Sequence, residues 1–218
     1  MPSRYSNDLA EISSHAVERL TLRNQAREQA LPASREVIRF SANAIRAVHR
    51  GDYDDAQALL ARAAKRLEDT EAIREVAPEI YFAGFMTDAR KEYTEANVTL
   101  AVLSGKKLPN PQDLGVEPST FLNGMAEVIG EVRRYILDSL RRDCFENCQE
   151  YMDVMDEIYS ILVTVDFPEA VTGGLRHSTD QMRGVLERTR GDLTMALRQH
   201  KLEAQLARWE RRQSKPSD

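Results

Sequence analysis

The chain has 218 residues, 42% of them hydrophobic and 30% charged, which suits one folded domain or two small ones and fits neither a membrane protein nor a disordered tail. Its 10 Gly and 8 Pro fall below average usage, roughly 12% of a chain, so long helices are favoured over many short strands and turns. With 30 Lys and Arg against 35 Asp and Glu the net charge is −5, which excludes a generally basic nucleic-acid binder and leaves only local basic surfaces.

Near Met1, Arg4, Asp8 and Glu11 interrupt any apolar core of a secretory signal. No run approaches the ~18 apolar residues of a membrane span. The expected location is cytoplasmic. Cys144 and Cys148, four apart in an expected helix, have a poor geometry for pairing with each other and read as two buried or half-buried thiols. No His lies near them in sequence, so a zinc site is not supported.

The punctuation predicts an all-α chain of about seven helices. The first runs from about Asn7 to Ala30 and ends before Pro32; the second starts near Ser34, a plausible N-cap, and stops at Gly51, suited to a left-handed C-terminal position. A third follows Asp52 with an Ala/Leu stripe through Ala56, Leu59, Leu60, Ala63 and Leu67. Pro78 opens a fourth helix that ends at Gly105, and residues 106–117, with Pro109, Asn110, Pro111 and Gly115, form the one clear loop. Pro118 starts the fifth helix, and the sixth covers roughly Phe145 to Val165. After a turn region around Asp166–Pro168 and Gly173–Gly174, the last extends from about Leu175 past Trp209. The expectation is a single helical domain over 1–210 with a frayed polar tail, 211–218.

Apolar seams recur along these helices. Phe82, Met86, Ala89, Tyr93, Ala96, Leu100 and Leu103 follow at alternating helical spacings in the fourth. The fifth repeats the pattern with Leu122, Met125, Ile129, Val132 and Ile136, and the last with Met182, Leu186, Thr189, Leu193 and Ala196. Such narrow seams argue for a bundle, and they also suit side-by-side assembly of subunits.

Three constellations could carry chemistry. Asp88, Glu92 and Glu95 stack along one flank of the fourth helix, and carboxylates one turn apart can share a hard divalent cation such as Mg²⁺ or Mn²⁺. The alternative is a solvated face paired with Arg90, Lys91 or a neighbouring helix. In the fifth helix Glu127 and Glu131 face away from the seam, and Gly124 on the same side permits a close approach; the alternative is again a solvent face, with Arg134 pairing Glu131. Arg35, Arg39, Arg46 and Arg50 make a single stripe on the second helix that can neutralise phosphates along a strand, or simply confer solubility. Trp209 could stack a base or, more simply, dock as an apolar anchor. Gly-rich phosphate loops, G-x-S-x-G, H-E-x-x-H and zinc-spaced Cys/His clusters are all missing from the sequence.

The run from Tyr159 to Asp180, YSILVTVDFPEAVTGGLRHSTD, continued through Arg183–Thr194, resembles the C-terminal region of the translin/TRAX family in its prokaryotic form. Glu92–Ala96, EYTEA, resembles the TRAX E-Y-x-E-A block, and Phe121–Glu131, FLNGMAEVIGE, its Y-L-x-G-x-A-D-x-x-G-E block. Ile45–Arg50 resembles the end of an early family helix. The resemblance spans roughly residues 34–198. It implies a seven-helix fold and barrel-like homo-oligomers, usually octamers, enclosing single-stranded RNA or DNA. It also implies, for TRAX subunits, a metal-dependent endoribonuclease activity. The TRAX acids fall on Glu92, Glu95 and Glu127, with Glu131 the further family acid, and Mg²⁺ or Mn²⁺ as the implied cofactor. TRAX has Asp where this chain has Glu127, one methylene longer. Translin's basic, His-rich segment is absent, since residues 77–83 carry no positive charge; this favours a TRAX-like endoribonuclease over a translin-like, non-catalytic single-strand binder.

Overall fold

The computed structural model describes residues 3–213, and these are helical with no strand among them. Six long helices are joined by loops and one-turn segments. They are α1 (Ser6–Arg50), α2 (Tyr53–Glu68), α5 (Gly84–Ser104), α7 (Pro118–Leu140), α8 (Cys148–Leu162) and α10 (Leu175–Gln213). The four-residue turns are α3 (Ile73–Val76), α4 (Pro78–Tyr81), α6 (Pro111–Leu114) and α9 (Glu169–Thr172). The all-α expectation is met, and residues 214–218 of the expected polar tail lie outside the described residues.

Two predicted helices are one. The chain runs through Pro32 without ending, so α1 is 45 residues long. Pro32 removes a single N–H, leaving the carbonyl of Glu28 without its helical donor; both residues are exposed, where water can serve that carbonyl. Ser34 is not an N-cap: its hydroxyl is buried and donates to the Leu31 carbonyl at 2.9 Å. The predicted fourth helix, conversely, breaks. Ala83 is extended (φ −63°, ψ 151°), which separates α4 from α5 and leaves Phe82, the first residue of the expected seam, 46% exposed.

The chain divides into two compact units, one up to Gly124 and one from Met125, with α7 running continuously through that point. In the first unit α1 packs on α2 and α5, and α2 also touches α5. Gly51 ends α1 in the left-handed region at φ 81°, a backbone state with little steric cost only for glycine, and turns the chain straight into α2. The Tyr53 hydroxyl donates to the Leu103 carbonyl at 2.9 Å, tying the start of α2 to the end of α5. The α1 seam buries Val37, Phe40, Ala44, Ile45 and Val48, whereas residues 7–25 of the same helix are exposed throughout.

In the second unit α8 and α9 pack on α10. Arg133 of α7 donates to Thr189 Oγ1 at 2.8 Å and pairs with Asp192 at 2.9 Å, which fixes α7 against α10. Tyr135 and Tyr151 meet edge to face at 5.0 Å. Leu186, Thr189 and Leu193 of the predicted α10 seam are buried; Met182 and Ala196 are half-buried. Cys144 lies before α8 rather than within it and is exposed, so only Cys148 meets the expectation of a buried thiol; its Sγ donates to the Cys144 carbonyl. Trp209 is 60% exposed, so it is not buried against its own chain among the described residues. No helix among the described residues is long and apolar enough to cross a membrane.

Candidate metal centre

Helix α5 carries the first two acids. Their spacing of three puts Glu92 and Glu95 on one side of the helix, and Glu95 is only 8% exposed. Around them the seam residues Met86, Ala89, Tyr93 and Ala96 are buried, so α5 is held on its apolar face while the acids line its flank.

Helix α7 is brought to that flank by Gly124. A Cβ built there would stand 2.7 Å from the Lys91 carbonyl oxygen and 2.8 Å from Thr94 Cβ. Only a residue without a side chain lets α7 lie this close to α5, as the sequence reading expected of this glycine. Thr94 is itself immobilised, buried and donating to the Arg90 carbonyl at 2.9 Å. Glu127 follows Gly124 by three residues on the same face of a continuous helix.

The outcome is a triad. Glu92, Glu95 and Glu127 each offer a carboxylate oxygen, and these atoms all lie within 4.8 Å of one another. Each of the three also interacts with other groups of the protein. Like charges about 4 Å apart repel by about 4 kcal/mol at an effective dielectric of 20, and a cation at their centre would reverse the sign of that interaction. The donor set fits a hard divalent ion. Two oxygens on one Mg²⁺ reach at most about 4.2 Å apart, so a small rotamer adjustment of three flexible Glu side chains would suffice.

Other candidates fall outside this group. Asp88, expected on the same flank, is exposed and no member of it. Neither is Glu131, whose carboxylate lies 3.5 Å from Arg134, the pairing foreseen as its alternative role. Arg35, Arg39, Arg46 and Arg50 form an exposed row on α1. Three of them are engaged: Arg39 pairs with Glu36 at 3.3 Å, Arg46 donates to Asn43 at 2.6 Å, and Arg50 pairs with Asp52 at 2.9 Å. The sequence reading offered Arg90 as a partner for the acids. It turns away from them instead, and its Nη1 donates to the Tyr81 carbonyl at 2.8 Å, closing the end of α4. No periodicity marks that role, because Arg90 sits within the buried part of α5 and its partner lies across a helix break.

Solved structures share this all-helical fold. The crystal structure of AfC3PO and the structure of its complex with duplex RNA match at TM-scores of 0.77 and 0.78, with 36% identity over 84% of this chain and 95% of that one. Apo-NeC3PO shares the fold, with a TM-score of 0.70 at 16% identity over 90% of this chain and 98% of its own. An uncharacterised protein of Methanocaldococcus jannaschii is 28% identical over 196 residues, 89% of this chain and 86% of its own length. No family model matches. The fold class is thus that of the C3PO proteins. The chain belongs to the translin/TRAX family.

Proposed function

We propose that this chain is a TRAX-type endoribonuclease that binds single-stranded RNA as a homo-oligomer and cleaves it with a divalent cation, Mg²⁺ or Mn²⁺. The observation that carries the reading is the convergence of Glu92, Glu95 and Glu127 within 4.8 Å. When bound, such an ion makes water a better nucleophile and offsets charge developing on the phosphate. The three carboxylates hold and orient it. Gly124 sets the spacing between the helices that carry them.

RNA as ligand is supported by the relative AfC3PO, which is seen with duplex RNA. The Arg35, Arg39, Arg46 and Arg50 row supplies exposed cations for phosphates. Assembly, with the octamer of the family resemblance as the proposed size, is supported by apolar side chains left in water. On α1 these are Leu9, Ile12 and Leu20, each at least 60% exposed; on α10 they are Met195, Leu202, Leu206 and Trp209. Seams of this kind on long helices suit packing against another subunit.

The second reading is a non-catalytic, translin-type binder of single-stranded RNA or DNA. It is favoured by the interactions each acid already makes within the protein, as a structural network would. A cleavage assay on labelled single-stranded RNA, single-stranded DNA and duplex RNA, with Mg²⁺, Mn²⁺ or EDTA, separates the two. The nuclease reading expects RNA to be cut with either metal and spared in EDTA. Binding without cleavage under every metal condition transfers the assignment to the binder.

A further inference from the structure

A cavity of 220 Å³ lies in the first unit where α4, α5 and the segment leading into α7 meet, lined by Arg74, Tyr81, Phe82, Arg90, Glu117 and Thr120 among others. Arg90 is 4% exposed, and no carboxylate among the described residues pairs with it. Its Nη1 donates to the Tyr81 carbonyl, its guanidinium carbon sits 4.0 Å from the centroid of the Tyr81 ring, and its Nη2 is buried with no acceptor. A buried guanidinium lacking both a counter-ion and one of its acceptors is a costly arrangement, and the adjoining cavity has room for the missing anion.

Other features of the wall point the same way. Arg74 stands at the exposed rim, 5.7 Å from the Tyr81 ring and 5.9 Å from the Phe82 ring, with no ion pair among the described residues. Pro118 and Thr120 place the first turn of the 23-residue α7 against the cavity, and the first N–H groups of a helix are not used by the helix itself. Two acids are nearby. Glu117 is exposed, where water screens it, and the Glu71 carboxylate already accepts the Tyr81 hydroxyl at 2.6 Å. Phe82 is packed edge-on to Tyr81 at 4.9 Å and is 46% exposed, which leaves ring surface for a planar group.

We propose that this cavity binds a phosphate monoester bearing a nucleobase, the phosphate held by Arg90 and Arg74 and the base laid on Phe82. The planar fork of a guanidinium matches phosphate oxygens with two parallel hydrogen bonds, and aromatic rings stack any base. A free nucleoside monophosphate and the terminal phosphate of a nucleic-acid strand offer the same chemistry. The site uses none of the three acids of the metal centre, so it stands or falls apart from the nuclease reading.

The test is titration calorimetry of the full chain in EDTA with adenosine monophosphate, adenosine and inorganic phosphate. Adenosine monophosphate binds at least about tenfold more tightly than adenosine, and Arg74→Ala and Arg90→Lys each weaken it by a similar factor. Phe82→Ala weakens the nucleotide and leaves inorganic phosphate unchanged. Arg74 and Phe82 are exposed, so their variants report even if the Arg90 variant fails to fold. RNA strands ending in phosphate or in hydroxyl then identify the source. A preference for phosphorylated ends that is lost in Arg74→Ala assigns the strand terminus, and equal affinities beside tight nucleotide binding assign the free nucleotide. The proposal is overturned if neither the nucleotide nor phosphate binds at millimolar concentration, if adenosine binds as well as its monophosphate, or if Arg74→Ala binds the nucleotide like wild type.

Discussion

At the scale of single residues, three carboxylates share one small volume, and charge decides what each substitution does. Removing one charge from a repelling set lowers the cost of the ion-free state, while breaking a salt-bridge network raises it. If Glu92, Glu95 and Glu127 hold a cation, Glu92→Gln, Glu95→Gln and Glu127→Gln abolish cleavage, keep the melting temperature of the metal-free protein, and lose the rise in melting temperature that Mg²⁺ causes in wild type. Glu127→Asp shortens the side chain by one methylene, keeps the carboxylate and retains activity. Glu131→Gln is mild, because Glu131 faces Arg134 at 3.5 Å and lies outside the triad. Melting curves with and without Mg²⁺, beside cleavage rates, separate these outcomes. Wild-type cleavage by the Gln variants would remove the acids from the reaction.

Alkaline stability is a second residue-scale matter. Burial raises the Cys148 thiol above its ordinary 9.0, with the Cys144 sulfur adding to the shift. Tyr81 and Tyr93 are raised above 10.0, also chiefly by burial, Tyr81 further by its hydrogen bond to Glu71. A group whose folded pKa is raised contributes stability that is complete below its unfolded pKa and is lost as pH climbs through the folded value. The melting temperature is therefore expected to be insensitive to these groups up to about pH 8 and to fall progressively above about pH 9. Cys148→Ala removes the earliest part of that fall and leaves the tyrosine part. A melting temperature flat to pH 11 in wild type would contradict the burial of all three.

Among the elements, one glycine and one proline carry the argument. Gly124 was legible in the sequence as a position of close approach. Which backbone approaches it was not, because Lys91 and Thr94 lie some thirty residues away on another helix. A Cβ at 2.7 Å from a carbonyl oxygen meets backbone and not a yielding side-chain tip. Gly124→Ala is therefore expected to destabilise by about 1–3 kcal/mol despite the better helix propensity of alanine, and by prying α7 from α5 to weaken metal binding as well. Denaturant titration and a Mg²⁺ binding isotherm measure the two effects. Pro32 misled for a local reason. Proline usually ends helices, yet here the residues on both sides, Ala30, Ser34 and Val37, are buried against the same core, and their burial outweighs one missing hydrogen bond. Pro32→Ala restores that bond at an exposed site and is expected to stabilise by about 1–3 kcal/mol. A loss of stability there would mean that the proline shapes α1.

For the whole molecule, long helices leave surfaces that their own chain does not cover. The first half of α1 exposes Leu9, Ile12, Val17 and Leu20, and the second half of α10 exposes Met195, Leu202, Leu206 and Trp209. Light scattering is expected to find an oligomer well above dimer mass, and Leu202→Glu with Leu206→Glu to lower that mass. A stable monomer at micromolar concentration would remove the enclosed chamber that the family resemblance implies. The arginine row belongs to this scale too. Affinity for single strands should fall as salt rises, and Arg39→Ala with Arg46→Ala should flatten the slope; an unchanged slope makes the row a solubility feature, as its existing partners Glu36 and Asn43 would allow.

Periodicity and punctuation alone determined the all-α class, the positions of α2, α7 and α10 and the end of α5 to within a few residues, and the pairing of acids one turn apart. These follow from the 3.6-residue repeat, which any sequence displays directly. The YSILVTVDFPEAVTGGLRHSTD run, with the EYTEA and FLNGMAEVIGE blocks, added the family. Tertiary structure decided the rest, since it depends on which side chains share a core. It carried α1 through Pro32, broke the fourth helix at Ala83, and left Asp88 and Glu131 outside the group that Glu92, Glu95 and Glu127 form. It also turned Arg90 from the acids toward Tyr81. Spacing along one helix holds no record of what a neighbouring helix presents, nor of a partner across a helix break, as Tyr81 is for Arg90.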